Sequence, residues 1–159
     1  MHASFKAIAL LAAVASTSAT SFKLKAHVTD FDLTPSVEGQ EVALDLPTGF
    51  AYLTQPGSGA TFTDLDNTID TDVTGATNHI HITPGGTATV PSVNVVTFNS
   101  SAGTQGVAIA NGILAYEGGI FTACPASVLQ KAGDEILINF KKAGQRTLFG
   151  CANLELQEA

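Results

Sequence analysis

Tryptophan is absent from this chain, methionine occurs once, cysteine twice, and only 13% of the 159 residues are charged. With no Trp and only Tyr52 and Tyr116, the aromatic platforms on which sugar rings stack are scarce. That scarcity weighs against a glycosidase and against an aromatic-type carbohydrate-binding module. Basic residues are also few: seven Lys plus Arg face fourteen Asp plus Glu, a net charge of -7, and none lies between Val28 and Gln130. Phosphate contacts need clustered Lys and Arg, so neither nucleic acid nor an anionic membrane is an expected partner. The charge deficit is filled by Gly, Thr and aliphatic side chains, a balance suited to a β-rich fold. The length fits one domain.

The N-terminus accounts for part of the apolar content. His2 to Lys6 is a short charged start, Ala7 to Val14 has the length of a secretory h-region, and Thr17-Ser18-Ala19 offers small residues to a peptidase. Residues 1–19 therefore read as a signal peptide and 20–159 as a secreted β-rich domain; the alternative is a buried N-terminal helix. The mature chain would carry six basic and fourteen acidic residues, a net of -8. No second apolar segment and no hydrophobic C-terminal tail follow, so no membrane anchor is expected.

In an oxidising export route Cys124 and Cys151 read as a structural disulfide, the alternative being two free buried thiols. The bridge would close a loop of about 28 residues, worth roughly 3.5 kcal/mol if it acts through chain entropy. Residues 124–151 hold no third Cys and no His, which a reactive or metal-binding cysteine site would want.

Two-residue periodicity dominates the mature chain. Phe22, Leu24, Ala26 and Val28 alternate with Lys23, Lys25, His27 and Thr29. Val42 to Leu46, Phe50 to Leu53, Ile80 with Ile82, Val90 to Phe98, Val107 to Ala110, Ile113 to Tyr116, Ile120 to Cys124, Ile136 to Phe140 and Thr147 to Leu156 are further strand candidates. Turn signals separate them, sharpest at Asn111-Gly112, where both residues tolerate the positive φ of a two-residue hairpin turn. The single helical candidate is Pro125 to Ala132, with Pro at a first turn and Gly133 at the end. The pattern predicts an all-β single-domain antiparallel sandwich or barrel with one short helix and one disulfide.

Several residues are candidates for chemistry. Asp64, Asp66, Asp70 and Asp72 are hard oxygen ligands close enough in sequence to gather around calcium, but their spacing is not that of an EF-hand and a solvated acidic loop is the preferred reading. His79 and His81 flank Ile80 in an apparent strand, so both imidazoles share a face, about 7 Å apart by strand rise. That is a workable bite for a transition metal if a third ligand such as His27 or an Asp joins; otherwise they are two solvent-facing histidines. The stretch Thr61 to Thr104 holds eleven Thr, acceptors for O-linked sugar, and Asn99-Ser100-Ser101 is an N-glycosylation sequon. Hydrolase, nucleotide-loop and zinc-protease signatures are missing. No catalytic residue and no cofactor is assigned.

The segment Gly118-Gly-Ile-Phe-Thr-Ala-Cys-Pro-Ala-Ser127, followed by Gly150-Cys151-Ala-Asn-Leu154, resembles the C-terminal half of small secreted proteins of filamentous fungi. These are the phialide-type cell wall proteins and relatives described as IgE-binding, in which an Ala-Cys-Pro or Ala-Cys-Asn strand pairs with a later Cys. Ser21 to Asp30, with Leu33-Thr-Pro-Ser-Val37 after it, resembles the start of the same domain. Some relatives have more cysteines, so any further bridge they use is absent here. The resemblance implies a non-catalytic extracellular or cell-wall protein and transfers no site beyond Cys124 and Cys151.

The expectation is thus a secreted, non-enzymatic fungal surface or wall protein, with wall polysaccharide or wall proteins as partners. The alternative is a secreted binding protein, an effector recognising a host protein, or a small enzyme, with a metal at His79/His81 or the Asp64–Asp72 segment.

Overall fold

The computed structural model describes residues 20–159, so the leader expected at 1–19 lies outside the described residues. Thirteen strands and one 3-10 turn make up the regular structure. In chain order the strands are β1 (Ser21–Phe22), β2 (Leu24–Asp30), β3 (Glu41–Leu44), β4 (Ala51–Thr54), β5 (Phe62–Leu65), β6 (Thr68–Thr71), β7 (Asn78–His81) and β8 (Thr97–Asn99). There follow β9 (Ala108–Ala110), β10 (Ile113–Ala115), β11 (Ile120–Pro125), β12 (Ile136–Lys141) and β13 (Ala152–Glu158).

Strand order resolves the choice between sandwich and barrel. The larger sheet runs β11-β12-β4-β3-β2-β13, and β11 also pairs with β13, so six strands close into a barrel. Closure works because β11 meets β13 at Phe121↔Leu154, Thr122↔Asn153 and Ala123↔Ala152, leaving the far end of the same β13 edge for β10 at Gln157. The smaller sheet, β1-β5-β6-β7-β8, is antiparallel throughout and touches the barrel through the bridges Phe50↔Thr97 and Val95↔Asn139.

The periodic strands bury the faces that their patterns dictate. On β2, Leu24 and Ala26 are buried while Lys25 and His27 face outward; on β13, Ala152, Leu154 and Leu156 are buried between Asn153, Glu155 and Gln157. Both sheets supply one main core, in which Phe62, Ile69, Ile80 and Phe98 from the small sheet meet Phe121, Ile138, Phe140 and Leu156 from the barrel. A smaller cluster of Val95, Ala126, Leu129 and Leu137 surrounds the Cys124–Cys151 disulfide, whose two residues are 0% and 2% exposed. The sequence-predicted bridge is therefore present, and it ties the C-terminal end of β11 to the residue before β13.

Four local expectations are corrected. Val90 to Phe98 is not one strand: Pro91 has no amide to give, Gly86 (φ 80°) turns the chain so tightly that any Cβ would strike the Val90 carbonyl, and only Thr97–Asn99 is laddered. The last strand begins at Ala152 rather than Thr147, because 142–151 is a looped connection. The helix over 125–132 shrinks to a 3-10 turn, Ala126–Leu129, ended by Gln130 at φ 60°. Finally, the acidic segment Asp64–Asp72 is not a loop but the β5–β6 hairpin, turning at Asp66 (φ 56°) and Asn67 (φ 62°).

Candidate functional site

Hairpin register decides which of the predicted ligands meet. Asp70 lies opposite Thr63, whereas Asp64 lies opposite Ile69, so the two carboxylates occupy opposite faces of the hairpin. Asp64 accepts the Ile109 amide at 2.9 Å, Asp66 sits in the turn, and Asp72 is exposed beyond β6. The four acidic residues therefore do not converge.

Asp70 instead lies beside His79 on β7, which in turn is opposite Asn99 on β8. His79 Nδ1 is 2.5 Å from Asp70 Oδ1, with the Asp70 side chain 10% and the His79 side chain 29% exposed. A carboxylate can only accept, so Nδ1–H of His79 donates to Asp70 and the ring's orientation is fixed by that contact. His81 shares the face, but its Nε2 donates to the Ser101 carbonyl at 3.3 Å. His27 stands in the other sheet, 3.2 Å from Glu38. Among the described residues no three of His, Cys, Asp and Glu gather in a metal-binding group. Asn99 is exposed, and its Oδ1 accepts from the Ser101 amide and hydroxyl, forming an Asx turn at the sequon.

A second feature was not legible in the sequence. Where β2 and β13 part, beyond the pair Asp30↔Asn153, the segments 31–33 and 146–151 enclose a cleft of about 590 Å³. Phe31, Leu33, Arg146, Leu148 and Phe149 line it, with Cys151 at the bridge end. Phe149 is 99% exposed and Phe31 61%. Burying a Phe side chain is worth about 1.5–3 kcal/mol, a gain both residues forgo in the free protein.

This exposure is built by rigid surroundings. Gln145 is 4% exposed, and its Nε2 donates to the carbonyls of Gly85 and Thr87 at 2.8 and 2.7 Å while its Oε1 accepts the Lys142 amide. Its own carbonyl accepts from Lys141 Nζ at 2.8 Å. Thr147 donates to Asn153 Oδ1 at 2.6 Å, Leu148 packs against the disulfide cluster, and Cys151 is bridged. Phe149 thus sits between a packed residue, Leu148, next to it and a covalently fixed one, Cys151, two positions on.

On the opposite wall, Phe31 adopts φ 57°, unusual for a bulky residue, with its amide held by Asp30 Oδ1 at 3.0 Å. The Asp32 carboxylate is turned into its own loop, accepting the Ser36 hydroxyl and the amides of Leu33 and Val37. The Ser36 hydroxyl foremost, with those amides, outweighs burial and holds Asp32 below the usual carboxylate range. Arg146 has no ion pair and no side-chain hydrogen bond among the described residues; only its amide is engaged, to Thr89. The cleft therefore presents two open aromatic side chains and one uncommitted guanidinium. Sequence periodicity placed Phe149 on a strand because it cannot see a strand that starts three residues later.

No curated protein and no solved structure matches the chain. One family model matches residues 19–159, nearly the whole length, and the chain belongs to that family, described as a domain of unknown function, DUF7907.

Proposed function

We propose that the protein is a secreted, non-enzymatic protein of the fungal cell surface or wall, with wall polysaccharide or wall proteins as its partners. The observation that carries this reading is the Cys124–Cys151 bridge, buried at the centre of its own apolar cluster. Such bridges form and persist where the chain passes through an oxidising compartment. The exposed Asx turn at Asn99 adds support, since a sequon must be reachable to be glycosylated. The test is intact-mass analysis of the protein recovered from culture medium and from wall extracts. A mass beginning near Thr20, two hydrogens short, carrying sugar and enriched in the wall fraction is expected. A reduced, unmodified chain retaining residues 1–19 inside the cell would overturn the reading.

A second reading rests on the Asp70–His79 contact, since a carboxylate that fixes an imidazole tautomer is also how a ligand or proton-transfer histidine is held. It predicts stoichiometric metal in the purified protein that is lost in His79→Ala. Metal-free protein by elemental analysis, with no change on that substitution, retires the metal form of this reading.

A further inference from the structure

We propose that the cleft between residues 31–33 and 146–151 binds a small amphipathic carboxylate: an aliphatic or aromatic body between Phe31 and Phe149, with its carboxylate on Arg146. This inference is independent of where the protein resides. Three observations converge on it. The cleft, about 590 Å³, falls within the roughly 300–1,000 Å³ of small-molecule sites. Its lips are the two most exposed Phe side chains among the described residues, one at 99% on a segment held by Gln145 and the disulfide, the other at 61% on a backbone with positive φ. With the backbone of both walls held by these contacts, binding has to order only the side chains, which lowers its entropic cost.

The charge pattern selects the head group. The chain carries net negative charge, and Lys23 and Lys141 are spent on Glu41 and the Gln145 carbonyl. Arg146 is uncommitted, and the one carboxylate in the cleft, Asp32, is consumed by Ser36, Leu33 and Val37. A planar guanidinium with free donors suits a carboxylate, which it can hold through two parallel hydrogen bonds. A cationic ligand would meet that guanidinium and no free anion in the cleft.

Isothermal titration of the full chain with dodecanoate and with dodecanol, both below their aggregation limits, tests the proposal. Dodecanoate is expected to bind at one equivalent and at least about tenfold more tightly than dodecanol, the scale of a charge-assisted hydrogen bond. Arg146→Gln removes that difference without changing dodecanol binding, Arg146→Lys restores part of it, and Phe149→Ser weakens both ligands. Both residues are exposed, so the variants should keep the wild-type circular dichroism and thermal midpoint, and a fold defect is thereby separated from a binding defect. Equal affinity for the two ligands, no binding of either, or a dimer in solution that Phe149→Ser dissolves while dodecanoate does not bind would each overturn it.

Discussion

The side-chain amide of Gln145 donates to the carbonyl of Thr87 at 2.7 Å, joining positions 58 apart in sequence. Together with its contacts to Gly85 and Lys142, this buried amide fastens the β12–β13 connection to the irregular segment before β8. Gln145→Ala removes these hydrogen bonds, each worth about 0.5–1.5 kcal/mol net, because their partners lie on half-buried or exposed residues that water can reach. Chemical denaturation should show a lower midpoint, and hydrogen exchange should accelerate in residues 85–90 and 142–151 together. An unchanged midpoint would mean that water replaces the amide without cost.

Removing the disulfide should act on the unfolded state more than on the folded core. Cys124→Ala with Cys151→Ala opens a 27-residue separation, an expected loss of roughly 3.5 kcal/mol if chain entropy dominates. Both positions are buried, so a small packing loss adds to it. Wild type under reducing conditions should fall toward the double variant in urea titrations, and the variant itself should not respond to reductant.

Acid stability should depend on Glu41. Burial pushes its carboxyl up, but the amides of Gly59 and Gly57 and the Lys23 ammonium outweigh that and hold it below its usual range. The unfolded chain thus takes up the proton first as pH falls, so the stabilisation is complete above the unfolded value of roughly 4.3 and is lost as pH drops through the lower folded value. In Glu41→Gln the unfolding free energy should be lower at neutral pH and should decline less below about pH 4.5. Parallel pH profiles for the two proteins would exclude this role.

Phe140 and Phe149 should answer substitution in opposite ways. Phe140 lies between Tyr116 and Phe121, with ring centroids 5.3 and 5.2 Å away, and is 3% exposed. Phe140→Ala should cost about 3–5 kcal/mol through the cavity it leaves. Phe149→Ser, at a residue 99% exposed, should stay within about 0.5 kcal/mol of wild type in the same urea titration.

The parts of the fold legible in the sequence were those governed by neighbours along the chain. The alternation from Leu24 to Val28 gave the start of the barrel wall, although the same run is broken at Lys23 and Phe22 belongs to β1 of the small sheet, and Asn111-Gly112 gave the β9–β10 turn, both residues indeed having positive φ. The Cys124–Cys151 pairing followed from having two cysteines and an export-like leader. What escaped depends on register between distant segments. Ring closure needs the β11–β13 pairing, Asp70 meets His79 only through the β6–β7 register, and the divergence of Asp64 from Asp70 needs the β5–β6 turn at Asp66–Asn67. The β5–β6 hairpin was missed because its Thr and Asp residues are polar, while the small sheet buries Thr68, Asp70 and Thr71.

The strand that seals the barrel is also the one made last among those described. Until residues 152–158 leave the ribosome, β2 and β11 each lack a lateral partner, and they stand as two open edges able to recruit foreign strands. Cys151 immediately precedes that strand, so the thiol needed for the covalent tie arrives with the segment that zips the wall shut. Ring closure and the disulfide therefore both require the chain to be made past position 151, and a chain halted before it has neither.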